Sequence, residues 1–596
     1  MLAALYLLLV VVLNARRHGV KLPGLIGGFL SFYILLSLVA YILSPIPDYS
    51  GRRLTAVLAG AAGYGLVYIW LTADRSRSRL FASGLALAGG VLSLAALFIV
   101  EWPSRFLVDI QALTNWLPHL GGDFYLNNNT VAGVLMLLLP LALALFLQVK
   151  NWTRVFYLIA TISMAIMLFL TQSRNAYLGV FFAIIAGLLW GRIRFRFVML
   201  FVAFLLVMPF AAVGLSDNGE LGGSDLISTV DMSTKAGSSL DQSWLSRLEI
   251  WSAAVQTMGD YPVVGAGLYT FAPVSRANYV YQVLFPNIDI SHAHNLFLQT
   301  GASLGWAGWL AIAGLWVSVM YALWGAQESD PASNRWLPRA LSAGIAGYIV
   351  FNSFDVLALE QWAGITVWLV LALASAVIER SGFKAGRYRW LWAAPMILLA
   401  AMLIFPFFPS NLARLQVDRA RWSQSSLPSS FEIEGRLEDD FRRLGLVHYL
   451  RGERDQALRF WRSDPESNLF LFNQGQQAYL ASREIHEAIE WYSLSLAIDG
   501  EMGESFFWRG DAYRDLGDNE QAMADYLKAI VHGTGVYYYG VPLEAVAWAR
   551  IGQLYLEQDE LLESILALEQ AVSLAPNYDD FRQQLQDIKN LYDLRK

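Results

Sequence analysis

The chain has 596 residues, of which 56% are hydrophobic and only 15% charged, with 43 basic against 49 acidic side chains and a net charge of −6. A mean hydropathy of +0.41 is too apolar for a soluble protein. It points to a polytopic helical membrane protein with a soluble appendix, because most of the charge lies toward the C-terminal end. With no cysteine, disulfides, thiolate metal sites and cysteine nucleophiles are excluded.

Taken in chain order, the first apolar run, Leu2–Leu13, is short for a span and lacks the small-residue cleavage site of a signal peptide. It reads as part of a helix already under way where the chain starts. Runs long enough to cross a bilayer follow at about 24–44, 54–73, 80–100, 126–149, 153–171, 175–190, 194–214, 295–325, 338–354, 360–378 and 388–409. The expected fold is therefore all-α: a transmembrane bundle of about twelve spans. Its expected parts are N-terminal membrane helices (1–214), a large loop (215–294), C-terminal membrane helices (295–409) and a repeat domain (430–596).

The loops alternate in charge. Arg16–Lys21, Arg75–Arg79, Lys150–Arg154, Arg192–Arg196, Arg335–Arg339 and Arg380–Arg389 are basic. The segments between them, Glu101–Asp123, the turn at Arg174, the loop 215–294 and Asp355–Glu360, are not, with Arg52 and Arg53 as a weak exception. The positive-inside rule puts the basic set in the cytoplasm. The long loop and the repeat domain then face outside the inner membrane. Asn127–Asn129 reads as an N-cap cluster for the helix that follows rather than as a sugar contact.

The loop 215–294 is longer than a connection needs. Ser216–Ser243 is rich in Gly, Ser and Asp. Trp244–Met258 has helical spacing, with Trp244, Leu248, Trp251, Ala254 and Val255 on one face, as in an amphipathic helix on a membrane surface.

From about 430 a repeat emerges. Gly510, Tyr513, Ala522, Tyr526 and Ala529 fit the small and aromatic positions of a tetratricopeptide helix pair, and Gly552, Tyr555, Ala571 and Pro576 repeat the offsets, with Trp548 in front. Weaker copies start at Gly445 (with Ala457 and Trp461) and Gly475 (with Ala488 and Tyr492), and 533–542 interrupts the third as an insertion. An α-solenoid is expected here.

Four polar positions stand out in the membrane half. Arg174 lies in TQSRNAYLG between two apolar runs, where an arginine needs an anionic partner or reaches the headgroups. Arg247 lies in WLSRLEIW, as a solvated charge or a ligand contact. Pro262, Gly265 and Gly267 in DYPVVGAGLYTF mark a tight turn with close backbone approach, or a simple reversal. The last is SHAHNLFLQTGASLGWAGW, where two of the chain's seven histidines, His292 and His294, precede an apolar run. There they either cap the helix or exchange a proton.

The succession SRN, RLEIW, DYPVVGAGLYTF and HAHNLFLQTGASLGWAGW resembles the O-antigen ligase and polymerase family of membrane glycosyltransferases over about residues 130–325. The resemblance implies transfer of a glycan from a polyprenyl-diphosphate-linked oligosaccharide to a glycan, lipid or protein acceptor, on the outer face. In that chemistry Arg174 and Arg247 hold the departing diphosphate, whose oxygens suit a guanidinium fork. His294 is the candidate general base, with His292 second. Asn295 and Gln299 orient the base or the acceptor, and Gly265 and Gly267 let the backbone approach the substrate. No cofactor, no nucleic acid and no metal is implied, and the anomeric carbon is expected to invert. The membrane half has no Asp-X-Asp pair for a divalent ion, although His292 and His294 could take zinc with an acid such as Asp289. The repeats imply a protein partner. Two other readings compete. A glycan transporter would need charges lining the spans and repeats in the membrane half. A tethered repeat scaffold would leave the arginines and histidines without a shared purpose.

Overall fold

An apolar segment in a bilayer has no water to satisfy its amides, so it closes its hydrogen bonds within itself as a helix. The computed structural model describes residues 24–100 except 75, 126–189, 195–217, 239–279, 290–329, 335–383, 407–423, 440–538 except 465 and 466, and 541–595, with a few isolated positions between. Five described helices are long and apolar enough to cross a membrane: Pro47–Ala73, Ser76–Ile99, Asn128–Gln148, Leu296–Gln327 and Trp362–Ser381. Shorter apolar helices are Ile26–Ile42, Arg154–Leu170, Arg174–Leu189 and Leu200–Gly214. A further helix, Trp336–Asn352, is buried along most of its length. The short apolar run at 2–13 lies outside the described residues, and the expected span at 388–409 almost wholly so.

The chain divides into two compact units. The first holds 1–212, 254–271 and 292–415, and the second holds 213–253, 272–291 and 416–596. The stretch 215–294, read from sequence as one loop, thus contributes to both.

Large apolar side chains such as Leu80, Val91, Leu147, Leu188 and Phe204 stand exposed on the first unit, an inverted surface that only lipid covers well. Its interior uses small residues for close helix approach, as membrane bundles do. Where the helices Arg174–Leu189 and Trp336–Asn352 cross, a β-carbon on Gly347 would lie 2.7 Å from the carbonyl oxygen of Gly179. The basic positions gather at one end. Arg380 donates to the Ser78 hydroxyl at 2.6 Å and to the carbonyls of Leu71 and Asp74. Arg339 donates to the carbonyls of Gly187 and Leu188. At the other end Asn127 caps the helix Asn128–Gln148, its side chain accepting from the backbone N–H of Asn129 and Thr130, as the sequence predicts.

Among its described residues the second unit carries four helix pairs: Phe441–Leu450 with Arg454–Arg462, Ser467–Gln476 with Ile485–Ile498, Gly503–Asp515 with Asn519–His532, and Leu543–Glu557 with Leu561–Leu574. Asp579–Arg595 closes the array. Each pair packs a glycine of its first helix on a large side chain of its second. A β-carbon at Gly445 would sit 2.2 Å from the Trp461 ring, at Gly475 2.5 Å from Tyr492, at Gly510 2.8 Å from Tyr526 and at Gly552 3.0 Å from Leu568. The insertion holds a two-stranded antiparallel ribbon, Tyr537–Tyr538 with Val541–Pro542. Also in this unit, Asn473 and Gln474 donate to the backbone carbonyls of Tyr279 and Ala277 at 2.7 and 2.6 Å. The helix Ser239–Asp260 contains the segment expected at Trp244–Met258. On its apolar face Trp251 is fully buried with Trp244 edge-on to it at 5.5 Å.

Candidate functional site

The helix Leu296–Ser329 begins where a polar residue can take up its free amides. Asn295 does so, its Oδ1 accepting from Phe297 N and Leu298 N at 2.9 and 3.0 Å. Its Nδ2 donates to the Ser353 carbonyl at 2.9 Å, tying the turn to the loop 353–361. Gln299, one helical turn on, reaches back to accept from Ala293 N at 2.9 Å. Both side chains are fully buried and bond within the chain, Gln299 Nε2 also donating to the Ser303 hydroxyl at 3.2 Å. They hold the turn that carries the histidines. His294 itself takes a left-handed backbone, φ +46, a conformation an ordinary side chain adopts only when its surroundings impose it.

Within that turn His292 Nδ1 accepts from His294 N at 3.2 Å, and the two rings lie 4.3 Å apart. The loop 353–361 brings a carboxylate to them. Asp355 Oδ1 stands 3.8 Å from His292 Nε2 and 4.0 Å from His294 Nδ1. These separations exceed a hydrogen bond, and Asp355 Oδ1 accepts instead from Val356 N at 2.8 Å.

The loop 353–361 is rigid for local reasons. Asn352 Oδ1 accepts from Leu357 N, the Tyr348 hydroxyl donates to the Leu357 carbonyl, and Trp368 Nε1 donates to the Leu359 carbonyl. Asp355 is 4% exposed. A buried carboxylate needs polar partners, and Asn175 Nδ2 supplies one at 3.3 Å while also donating to the Phe354 carbonyl at 3.1 Å.

Asn175 reaches Asp355 because the Gly179–Gly347 crossing sets their two helices side by side. Its neighbour Arg174, the first residue of Arg174–Leu189, is exposed at the same turn. The structure therefore brings the Arg174 turn, His292, His294, Asn295 and Gln299 to one end of the first unit. Arg247 lies half-buried on Ser239–Asp260, in the second unit.

The glycine turn belongs to the same end. A β-carbon on Gly265 (φ +71) would lie 2.2 Å from the Ser303 backbone, and one on Gly305 (φ +73) 2.5 Å from the Pro262 carbonyl oxygen. Two bonds cross that contact, Ala266 N to the Ala302 carbonyl at 2.8 Å and Trp306 N to the Pro262 carbonyl at 3.0 Å. Gly267 lies against Ser44 and Pro45. Both glycines of the turn thus pack on the protein itself. Asn411 Oδ1 accepts from Val263 N and Val264 N at 3.0 and 3.1 Å.

Sequence reasoning missed Asp355, Asn175 and Asn411 as parts of this arrangement. Asp355 left a signal. FDVLALE carries two acids in an apolar turn between spans, and ionisable groups at such places are usually functional.

An imidazole facing a buried carboxylate can take a proton, because the carboxylate stabilises the cation that forms. The same three groups could also hold a metal ion, since their ligand atoms all lie within 4.8 Å of one another. Asp355 would then be the acidic ligand. Asp289, the acid considered from sequence, lies outside the described residues.

These features define a multi-pass membrane protein with a histidine–carboxylate site and a helical repeat appendix. Residues 159–313, which contain Arg174, Arg247, the glycine turn and both histidines, match the family model described as O-Antigen ligase. Residues 503–530 and 545–578 match that of the tetratricopeptide repeat. The pairing is the one the sequence resembles, and it supports a membrane glycosyltransferase of the O-antigen ligase or polymerase type. No curated protein matches the chain.

Proposed function

We propose that the protein transfers a glycan from a polyprenyl-diphosphate carrier to an acceptor hydroxyl or amine, on the outer face of the inner membrane and without a metal. The carrying observation is the cluster of His292, His294 and Asp355, joined through Asn175 to the Arg174 turn. His294 takes the acceptor's proton as its oxygen or nitrogen bonds to the anomeric carbon. The bond from that carbon to the diphosphate breaks on the opposite side, so the carbon inverts. The leaving diphosphate carries the electron pair away, and Arg174 and Arg247 hold its charge. Asp355 faces the imidazolium that forms.

The orientation follows from charge. Arg339 and Arg380 mark the end far from the histidines, and the positive-inside rule makes that end cytoplasmic. About twelve spans then place the repeats outside, where they hold a protein partner or an acceptor.

One observation favours a second reading, a metal held by His292, His294 and Asp355. Transfer of a radiolabelled glycan from its polyprenyl diphosphate, followed with purified protein, decides between the two. A base predicts full activity in EDTA, a loss of about a thousandfold in His294→Ala, and a fall on the acid side, where a protonated ring accepts no proton. Loss in EDTA with recovery on zinc addition favours the metal. Normal transfer by His294→Ala removes the site from the reaction.

A further inference from the structure

Arg52 and Arg53 break the charge alternation of the loops, and the site described above makes no use of them. Arg52 is exposed and Arg53 half-buried in the first turns of Pro47–Ala73, at the same end of the first unit as the histidines. The Arg53 guanidinium lies 4.0 Å from the centre of the Tyr269 ring and 5.8 Å from that of Tyr49. Among the described residues it makes no hydrogen bond and no ion pair.

The surroundings are fixed tightly. Tyr269 is 2% exposed, has a left-handed backbone (φ +60) and accepts at its hydroxyl from Gln361 Nε2 at 2.6 Å. The Ser50 hydroxyl donates to the neighbouring Leu268 carbonyl at 2.9 Å. Burial pushes the Tyr269 hydroxyl above its ordinary range, so the ring stays neutral and cannot balance Arg53. The buried acid Glu360 feels the charge of Arg53 but is not bonded to it, and accepts from the Tyr33 hydroxyl at 2.5 Å. Arg53 is therefore stacked on one face, with its N–H edges free of protein partners.

A partly desolvated guanidinium with an acid in reach of its field but no hydrogen-bonded acceptor is costly. Its planar fork matches two oxygens of a phosphate. The Tyr269 segment and the loop 353–361 both run from this position to the histidine turn, through Ala266–Ala302 and Asn295–Ser353.

We propose that Arg53, held by Tyr269, is a further phosphate-binding residue of the protein, taking a phosphate of a lipid at the histidine end of the bundle. The phosphate belongs either to the diphosphate donor or to a bilayer phospholipid. Its assignment to the donor rests on the glycosyl-transfer reading.

The test is binding by the purified full-length protein in phosphatidylcholine nanodiscs, read from thermal stability. One arm adds a polyprenyl diphosphate and the other phosphatidylglycerol. Arg53→Gln should raise the Kd of the phosphate lipid roughly ten- to a hundredfold, the effect of losing charge-assisted hydrogen bonds. Arg53→Lys, which keeps the charge without the fork, should lose less. Arg52→Gln should bind as the wild type does. The unliganded Tm of Arg53→Lys and Arg53→Gln should match the wild type, which separates lost ligand from lost fold. Weakening of the diphosphate lipid assigns the phosphate to the donor, and weakening of phosphatidylglycerol alone assigns it to the bilayer. Unchanged binding of both lipids by Arg53→Gln overturns the proposal even where the wild type transfers glycan. A wild type that binds phosphatidylglycerol but neither binds nor transfers from the diphosphate lipid overturns the transfer reading instead.

Discussion

The repeat array and the histidine end of the membrane unit treat their buried polar groups in opposite ways. In the array, charge meets charge. Arg509 holds Asp525 with two bonds at 2.7 and 2.8 Å, and Arg550 holds Asp511 at 3.1 Å. At the histidine end, neutral amides such as Asn175, Asn295, Gln299 and Asn411 anchor backbone. The ionisable groups His292, His294 and Asp355 face one another at 3.8 to 4.0 Å, without the close ion pairs of the array. The array's charges are neutralised in place, which favours a fixed shape. Those of the membrane unit meet at longer range, between a loop and a turn that separate helices carry.

The sharpest way to break this contrast is at the histidines. His294→Ala should lower glycan transfer about a thousandfold, within the range seen for a lost general base, while the array unfolds at its usual temperature. Asp355→Asn comes next. It keeps the shape but removes the negative charge, and its one amide oxygen can serve only one of the two donors, Asn175 Nδ2 and Val356 N, that the carboxylate accepts from, so transfer should fall on the order of a hundredfold. The loss should lie in kcat rather than KM. A change confined to KM would mean that Asp355 touches substrate instead of facing the histidine.

The array should respond in stability and not in chemistry. Asp525 is almost fully buried, so Arg509→Ala leaves it unpaired and should destabilise the repeats by roughly 3 kcal/mol. Chemical denaturation followed by circular dichroism measures this, and replacing both Arg509 and Asp525 with apolar residues should recover much of the loss. The smallest effect is expected at Asn127→Ala, which removes a helix cap and should cost about 1 kcal/mol. It is best read as faster hydrogen exchange at Asn129 and Thr130. A larger loss in transfer than in local protection would move Asn127 from cap to substrate contact.

The two regions also differed in how much the sequence disclosed. The helix pairs were legible because the contacts that make them recur at nearly the same offset. Gly510 with Tyr526 and Gly475 with Tyr492 are each a local pair, sixteen and seventeen positions apart by their numbering. The apolar spans were legible for a similar reason, since each is a run. The histidine turn was visible as a polar motif at the head of such a run, and so were Asn295 and Gln299. Asp355 was not, because its importance comes from Asn175 and the histidines, which lie far away in sequence. Asn411 was hidden likewise, 148 positions from the Val263 amide it accepts from. A single polar residue in an apolar turn carries no period, and only the packing of helices reveals what it faces. Arg53 is an exception to the charge alternation of the loops, yet its stacking on Tyr269 leaves no signal in the sequence.

The grip of Asn473 and Gln474 on the carbonyls of Tyr279 and Ala277 has a consequence for how such a protein can be rebuilt. A chain that ends before Ser467 leaves those two carbonyls without their donors, and a foreign repeat array grafted in the same place supplies none in register. The repeats are therefore not a tail to be trimmed or exchanged at will. The natural cut for a chimaera runs around the segment 272–279 together with the helix Ser467–Gln476, and the two must be inherited as a pair.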